Sequence, residues 1–342
     1  FLTILTSSVR KLATSAAGSH RKNLSKYPVG LQLHGYEIQA INPIDELLIV
    51  TVKLKHLRTG SEHLHLDPSN DDNNVFLIGF KTNPPDATGV PHILEHTTLC
   101  GSSKYPVRDP FFKMLNRSLS NFMNAMTGHD YTFYPFATTN KKDFENLMDV
   151  YLLLVFEPLL SREDFTQEGW RLENTDPNDK NSPIIYKGVV FNEMKGQYSN
   201  LAYYFYIKFQ ESIYPSLKNS GGDPQHITEL HYEDLLDFHA LNYHPLNAKT
   251  FTYGPLNLIS HLQTLNESFI PFGKRTARGN SSIKQPQKLV QNETIVLDGP
   301  FDSLNGKPIS DQWKASITWK LGNPLLEEEQ YNVFKWKLLS SL

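Results

Sequence analysis

Apolar and polar positions alternate with a period of two between residues 35 and 80, most clearly over 46–52 and 75–80. This is the pattern of strands with one buried face. A polar loop at 67–74 separates them. Further strands are expected over 121–127 and 131–136, around a Gly128-His129-Asp130 turn. The spacing then changes to the helical period. Phe144, Leu147, Met148, Tyr151, Leu152 and Val155 fall on one face of a helix predicted over 142–157 and beginning near Asn140. A short helix is expected near 111–119 and one long helix over 192–214, with Tyr203, Tyr204, Phe205, Tyr206 and Phe209 as packing aromatics. Helices over 232–241 and 257–269 and a strand over 249–254 that closes the sheet complete the body. Beyond it, 273–288 turns basic and rich in Gly, Ser, Gln and Pro, which reads as a solvated linker. Strands at 294–297 and 315–321 and a helix at 324–339 follow, the helix carrying Glu327, Glu328 and Glu329 at its positive dipole end. The class is α+β.

One short predicted helix carries chemistry. In the stretch 89–101, Pro91 suits a first turn and Gly101 a left-handed position just past the end. Between them His92, Glu95 and His96 leave one helical face, because residues three and four apart are neighbours. Two imidazoles one turn apart can share a zinc ion, and the carboxylate between them can reach a water on it. The order H-x-x-E-H is the inverzincin signature. A catalytic zinc site needs a third protein ligand, and Glu193 is the candidate, far enough along the chain to come from a separate helix. His63 and His65 share a strand face and are expected to be hydrogen-bonded surface groups rather than ligands. Glu157, Glu168 and Glu173 are further acids, with nothing in their spacing to place them near the metal.

The two stretches around His92 and Glu193 resemble the presequence protease family, the mitochondrial branch of the pitrilysin and insulin-degrading-enzyme metallopeptidases. The resemblance continues through Cys100-Gly101-Ser102, residues 104–115 and 121–127, Ser220-Gly221-Gly222-Asp223-Pro224 and Asn242-Tyr243-His244-Pro245. It covers nearly all of 27–270 and thins afterwards. It implies a two-layer pitrilysin-type domain, a mostly antiparallel sheet packed by helices, followed by the start of a second homologous domain over 292–342 that binds no metal. It also implies a zinc endopeptidase with one Zn²⁺ per chain, held by His92, His96 and Glu193, with Glu95 as general base. Asn124, Ala125 and Met126 would be the sheet edge that accepts substrate as an added strand. The implied substrates are cleaved presequences and other short unstructured peptides. The full-length family member would be a monomer about three times longer, and this chain alone weakly active or inactive. Two other readings stand: a mitochondrial processing peptidase subunit, which shares the motif, and a metal-free structural subunit of the same fold, whose kind normally lacks motif residues. The block at 100–115 and the long separation to Glu193 favour the first reading over the processing peptidase. Retention of all four motif residues favours an enzyme over a scaffold.

Charge adds a location. Residues 1–36 contain no acid but carry Arg10, Lys11, Arg21, Lys22 and Lys26 among many Ser and Thr. Phe1, Leu5, Val9 and Leu12 share a helical face. Such a start reads as a mitochondrial transit peptide over 1–26, addressed to the matrix. The mildly acidic remainder suits basic peptides. A single cysteine excludes an internal disulfide. No apolar run is long enough to span a bilayer, and the basic linker lacks the interleaved aromatics of a nucleic-acid site.

Overall fold

The computed structural model describes residues 26–273, 294–301, 306–319 and 326–340. The expected transit peptide apart from Lys26, and nearly all of the expected linker, therefore lie outside the described residues. The chain divides into two compact units, Phe1–Ile295 and Val296–Leu342.

The first unit begins with five strands, β1 (Gln32–Leu33), β2 (Tyr36–Ile44), β3 (Ile49–His56), β4 (Glu62–Pro68) and β5 (Asn74–Lys81). Helices α1 (Val90–Thr98) and α2 (Pro110–Leu115) lead to three more strands, β6 (Phe122–Met123), β7 (Met126–Thr127) and β8 (Tyr131–Thr138). Next come α3 (Lys141–Phe156), α4 (Arg162–Glu168) and a separate hairpin of β9 (Arg171–Asn174) and β10 (Ile184–Lys187). The unit finishes with α5 (Val189–Tyr198), α6 (Leu201–Ile213), α7 (Tyr232–Asn242), β11 (Ala248–Tyr253) and α8 (Leu258–Phe269).

The main sheet runs β1-β2-β3-β4-β11-β5-β8-β6, with β7 also paired to β8. Every pair is antiparallel except β4 with β11. The strand expected to close the sheet lies at its middle instead, between β4 and β5. Alternation explains the buried face: Ile38, Val52, Leu54, Phe76, Ile78, Tyr134 and Phe136 are all fully buried. They pack in one core with Phe144, Leu147 and Tyr151 of α3 and Leu262, Leu265 and Phe269 of α8. Asn140 caps α3, its side chain accepting from the Asp143 N–H.

Strand β4 inverts the rule. Leu64 is 40% exposed, whereas His63 and His65 are buried rather than surface groups. Both are bonded to β11: His63 Nδ1 to the Thr250 hydroxyl (2.8 Å), His63 Nε2 to that of Thr252 (3.0 Å), and His65 Nδ1 to Thr252 (2.8 Å). Satisfied polar pairs of this kind can sit in a core at little cost.

Other expectations are also corrected. The long helix over 192–214 is two helices, because the Asn200 side chain accepts from the Ala202 and Tyr203 N–H groups and starts a new one. Gly101 is not in the left-handed region; α1 ends through Leu99 and Cys100 N–H bonds to the His96 and Thr97 carbonyls. Among the described residues of 294–342 there are no strands. A 3₁₀ turn (Ile309–Asp311) and α9 (Glu327–Ser340) are the regular elements there. The strands expected at 294–297 and 315–321 are not formed at 294–297 or 315–319, and 320–321 lie outside the described residues. No strand among the described residues is there to pair with them, and strands need partners. No helix among the described residues is long and apolar enough to cross a membrane.

Candidate metal centre

Helix α1 starts from Gly89, which is left-handed (φ 73°) and is followed by Val90 and Pro91 in the first turn. A Cβ on Gly89 would stand 2.7 Å from Gly222 Cα and 2.9 Å from the Gly221 carbonyl oxygen, so only glycine lets the 219–222 loop lie this close. That contact orients the first imidazole. The Gly221 carbonyl lies 3.1 Å from His92 Nδ1. A carbonyl only accepts, so Nδ1 carries the proton and Nε2 keeps the lone pair.

His96, one turn on, is fixed from the other side. Its Nδ1 lies 3.1 Å from Glu168 Oε2, at the end of α4. A carboxylate there again puts the proton on Nδ1 and frees Nε2. The two rings are 5.0 Å apart, centroid to centroid, and inclined at 75°. Glu193 comes from the second turn of α5, whose Val190, Phe191 and Met194 are buried and leave Glu193 half exposed. Its Oε2 is 3.7 Å from His92 Nε2. One donor atom each from His92, His96 and Glu193 lie within 4.8 Å of one another, and no other such group of His, Cys, Asp and Glu occurs among the described residues.

These residues fit a metal. Two imidazoles and a carboxylate suit zinc, with a fourth position open. Charge agrees. Glu95, Glu168 and Glu193 converge here, and no Lys or Arg among the described residues forms an ion pair with any of them; Glu168 and Glu193 pair with the histidines themselves. Burial alone would lower the His96 pKa, but the bond to Glu168 and the charges of Glu95, Glu168 and Glu193 more than offset it and hold it above the usual histidine range. A cation at the three donors would relieve that surplus of negative charge.

Glu95 is buried, and the Thr127 hydroxyl donates to its Oε2 at 2.5 Å. Thr127 ends β7, so the sheet edge and the acid are in direct contact. Asn124 and Ala125 lie between the two short edge strands β6 and β7, with Asn124 N–H donating to the Pro135 carbonyl (3.1 Å). Met126 opens β7, and no strand among the described residues pairs the outer side of this edge.

Sequence reasoning missed three partners: Glu168, Thr127 and the Gly221 carbonyl. Nothing in the spacing of Glu168 links it to His96, and the contact between the two places it. Glu157 instead accepts from Ser103, and Glu173 pairs with Arg171 and Lys187. Cys100 is buried, which pushes its thiol pKa up.

Residues 75–187 match the model of the insulinase family, peptidase family M16, a span that includes α1 and Glu168 and stops short of Glu193. Residues 229–342 match the peptidase M16 inactive domain, which begins inside the first compact unit. The mitochondrial presequence protease of Debaryomyces hansenii is 67% identical over 336 residues, and that of Saccharomyces cerevisiae 59% over 317. These alignments take in 97% and 93% of this chain but 31% of each relative. The chain thus spans under a third of their length. Pitrilysin superposes with a TM-score of 0.55 at 19% identity, over 70% of this chain and 25% of that one. A protease from Helicobacter pylori superposes at 0.51 and 18% identity, over 67% of this chain and 51% of that one. Both show the same fold. Two parts of the chain, 75–187 and 229–342, are thus each matched by a model of peptidase family M16.

Proposed function

We propose that this chain is the metal-binding portion of a zinc endopeptidase that degrades cleaved presequences and other short unstructured peptides in the mitochondrial matrix. The observation that carries the reading is the convergence of His92, His96 and Glu193 donors within 4.8 Å, with Glu95 on the same face of α1. The presequence proteases it resembles and the basic, acid-free 1–36 segment support the substrate and the location.

His92, His96 and Glu193 would hold the ion. When bound, zinc supplies a Lewis acid that polarises a carbonyl and acidifies water. The protein supplies the rest. Glu95 takes the proton of the attacking water and hands it to the leaving amine. Its Oε2 is held by Thr127, so Oε1 is the oxygen left to exchange that proton. Base and two ligands share one helical turn, which fixes their relative geometry. The edge at Asn124, Ala125 and Met126 offers main-chain groups to an extended peptide, a mode tolerant of sequence. Because Thr127 follows directly, a peptide added there would run past Glu95.

Metal analysis by atomic emission tests the ligand set. One zinc per chain is expected for the unaltered protein, none for His92→Ala or Glu193→Ala, and full zinc for Glu95→Gln. In a protein of the relatives' length, Glu95→Gln should abolish peptide hydrolysis. Full zinc occupancy in Glu193→Ala would remove Glu193 from the ligand set.

A further inference from the structure

The two histidines of the proposed metal site are supported unequally. His92 gives its Nδ1 proton to a neutral backbone carbonyl, that of Gly221. His96 gives its own to a carboxylate, Glu168, whose side chain is only 13% exposed. We infer that Glu168 is a positioning residue for the metal: it fixes His96 with Nε2 presented to the ion and strengthens that nitrogen as a donor, without being a ligand itself.

The local structure is built to deliver this carboxylate. Helix α4 starts at Ser161, whose hydroxyl accepts from the Asp164 N–H (3.0 Å), and it is anchored by buried Phe165. It ends at Glu168 and is followed by Gly169. A Cβ on Gly169 would lie 3.2 Å from Ile93 Cγ2 of α1, so the missing side chain allows the end of α4 to rest on the ligand helix. Among the described residues, the hydrogen bonds to Glu168 come from His96 and, at 3.5 Å, from Gln167. Glu168 lies on the Nδ1 side of the ring, away from the nitrogen that a metal would use, and is not among the three clustered donors. A carboxylate behind a ligating imidazole fixes its tautomer and raises its basicity, and losing such a partner costs about 10- to 100-fold in metal affinity.

The inference rests on the metal reading, and the experiment separates the two. Zinc dissociation constants are measured on the purified chain by chelator competition, for the unaltered protein, His92→Ala, Glu168→Gln and Glu168→Ala. In parallel, two-bond ¹H–¹⁵N correlations on histidine-labelled, zinc-free protein report the His96 tautomer. Glu168→Ala should raise the zinc dissociation constant about 10- to 100-fold and let His96 populate the Nε2–H tautomer. Glu168→Gln, which keeps an acceptor of the same shape without the charge, should fall between it and the unaltered chain, and it carries the test if the alanine variant does not fold. Zinc affinity within twofold of the unaltered chain in both variants overturns the inference while leaving the metal site standing. Weakened affinity with an unchanged tautomer and a lowered melting temperature would mean a merely structural role, and overturns it too. Failure of the unaltered chain to bind zinc overturns both readings.

Discussion

At position 89 a side chain would face two obstacles at once. The backbone is left-handed, and the space where a Cβ would go is filled by Gly222 and the Gly221 carbonyl. Gly89→Ala is therefore expected to cost roughly 1–3 kcal/mol of stability and to weaken zinc binding, because the displaced carbonyl is the one that orients His92. Gly196→Ala is the matched control. It lies inside α5 with nothing within 4 Å of the added methyl, and it should be neutral or stabilise by about 0.5–1 kcal/mol. Melting temperatures and zinc affinities of the two variants check this; equal effects would contradict it. The contrast also marks what the sequence reveals about a site. His92, Glu95 and His96 are legible because the helical period alone puts them on one face. Glu168, Thr127 and the Gly221 carbonyl reach the same site from other elements through tertiary packing, and no spacing in the chain encodes their approach.

Elements were legible where a periodic pattern was long and had a marked start, as in α3 with its Asn140 cap or in β5. They were misread where one residue interrupts a continuing pattern. The aromatic run of α6 follows α5 closely, so Asn200 reads as interior when it is in fact a cap. Asn200→Ala removes the acceptor for two N–H groups and should cost about 1 kcal/mol, read as a lower urea midpoint with an unchanged slope. A gain in stability would show that 192–214 tends to run as one helix. The strands expected at 294–297 and 315–321 are not formed among the described residues for a different reason, since pairing is not a local property of a strand. The inversion at β4 was hidden for a related reason: a histidine on the core face is acceptable only because β11, remote in sequence, brings threonine hydroxyls to it.

For the molecule as a whole, buried histidines dictate how stability responds to acid. Burial lowers the pKa of His65 to about 3 and of His261 to about 4, and that of His63 well below the usual range. Each is neutral in the folded state and regains an ordinary pKa on unfolding, so the unfolded chain binds more protons as pH falls. Stability from these groups is therefore complete above about pH 6.5 and is lost progressively toward pH 4, by about 1.4 kcal/mol per histidine per pH unit. His96, whose pKa is raised, works in the opposite sense, but it is one group against five, since burial also lowers the pKa of His56 and His239. Urea unfolding of the zinc-free protein between pH 7.5 and 5 should show this slope; a flat profile would contradict it. The same β11 that satisfies His63 and His65 also governs the order of assembly. It zips β4 to β5 from far along the chain, with Lys249 bonded to Glu62 across 187 residues of sequence. A chain emerging from the ribosome or from a membrane pore delivers every proposed ligand before it delivers the strand that joins the two parts of the sheet. Until then the facing edges of β4 and β5 stay open, and edges of that kind recruit other chains. The interval before residue 253 emerges is therefore when those two edges are most open to pairing with other chains.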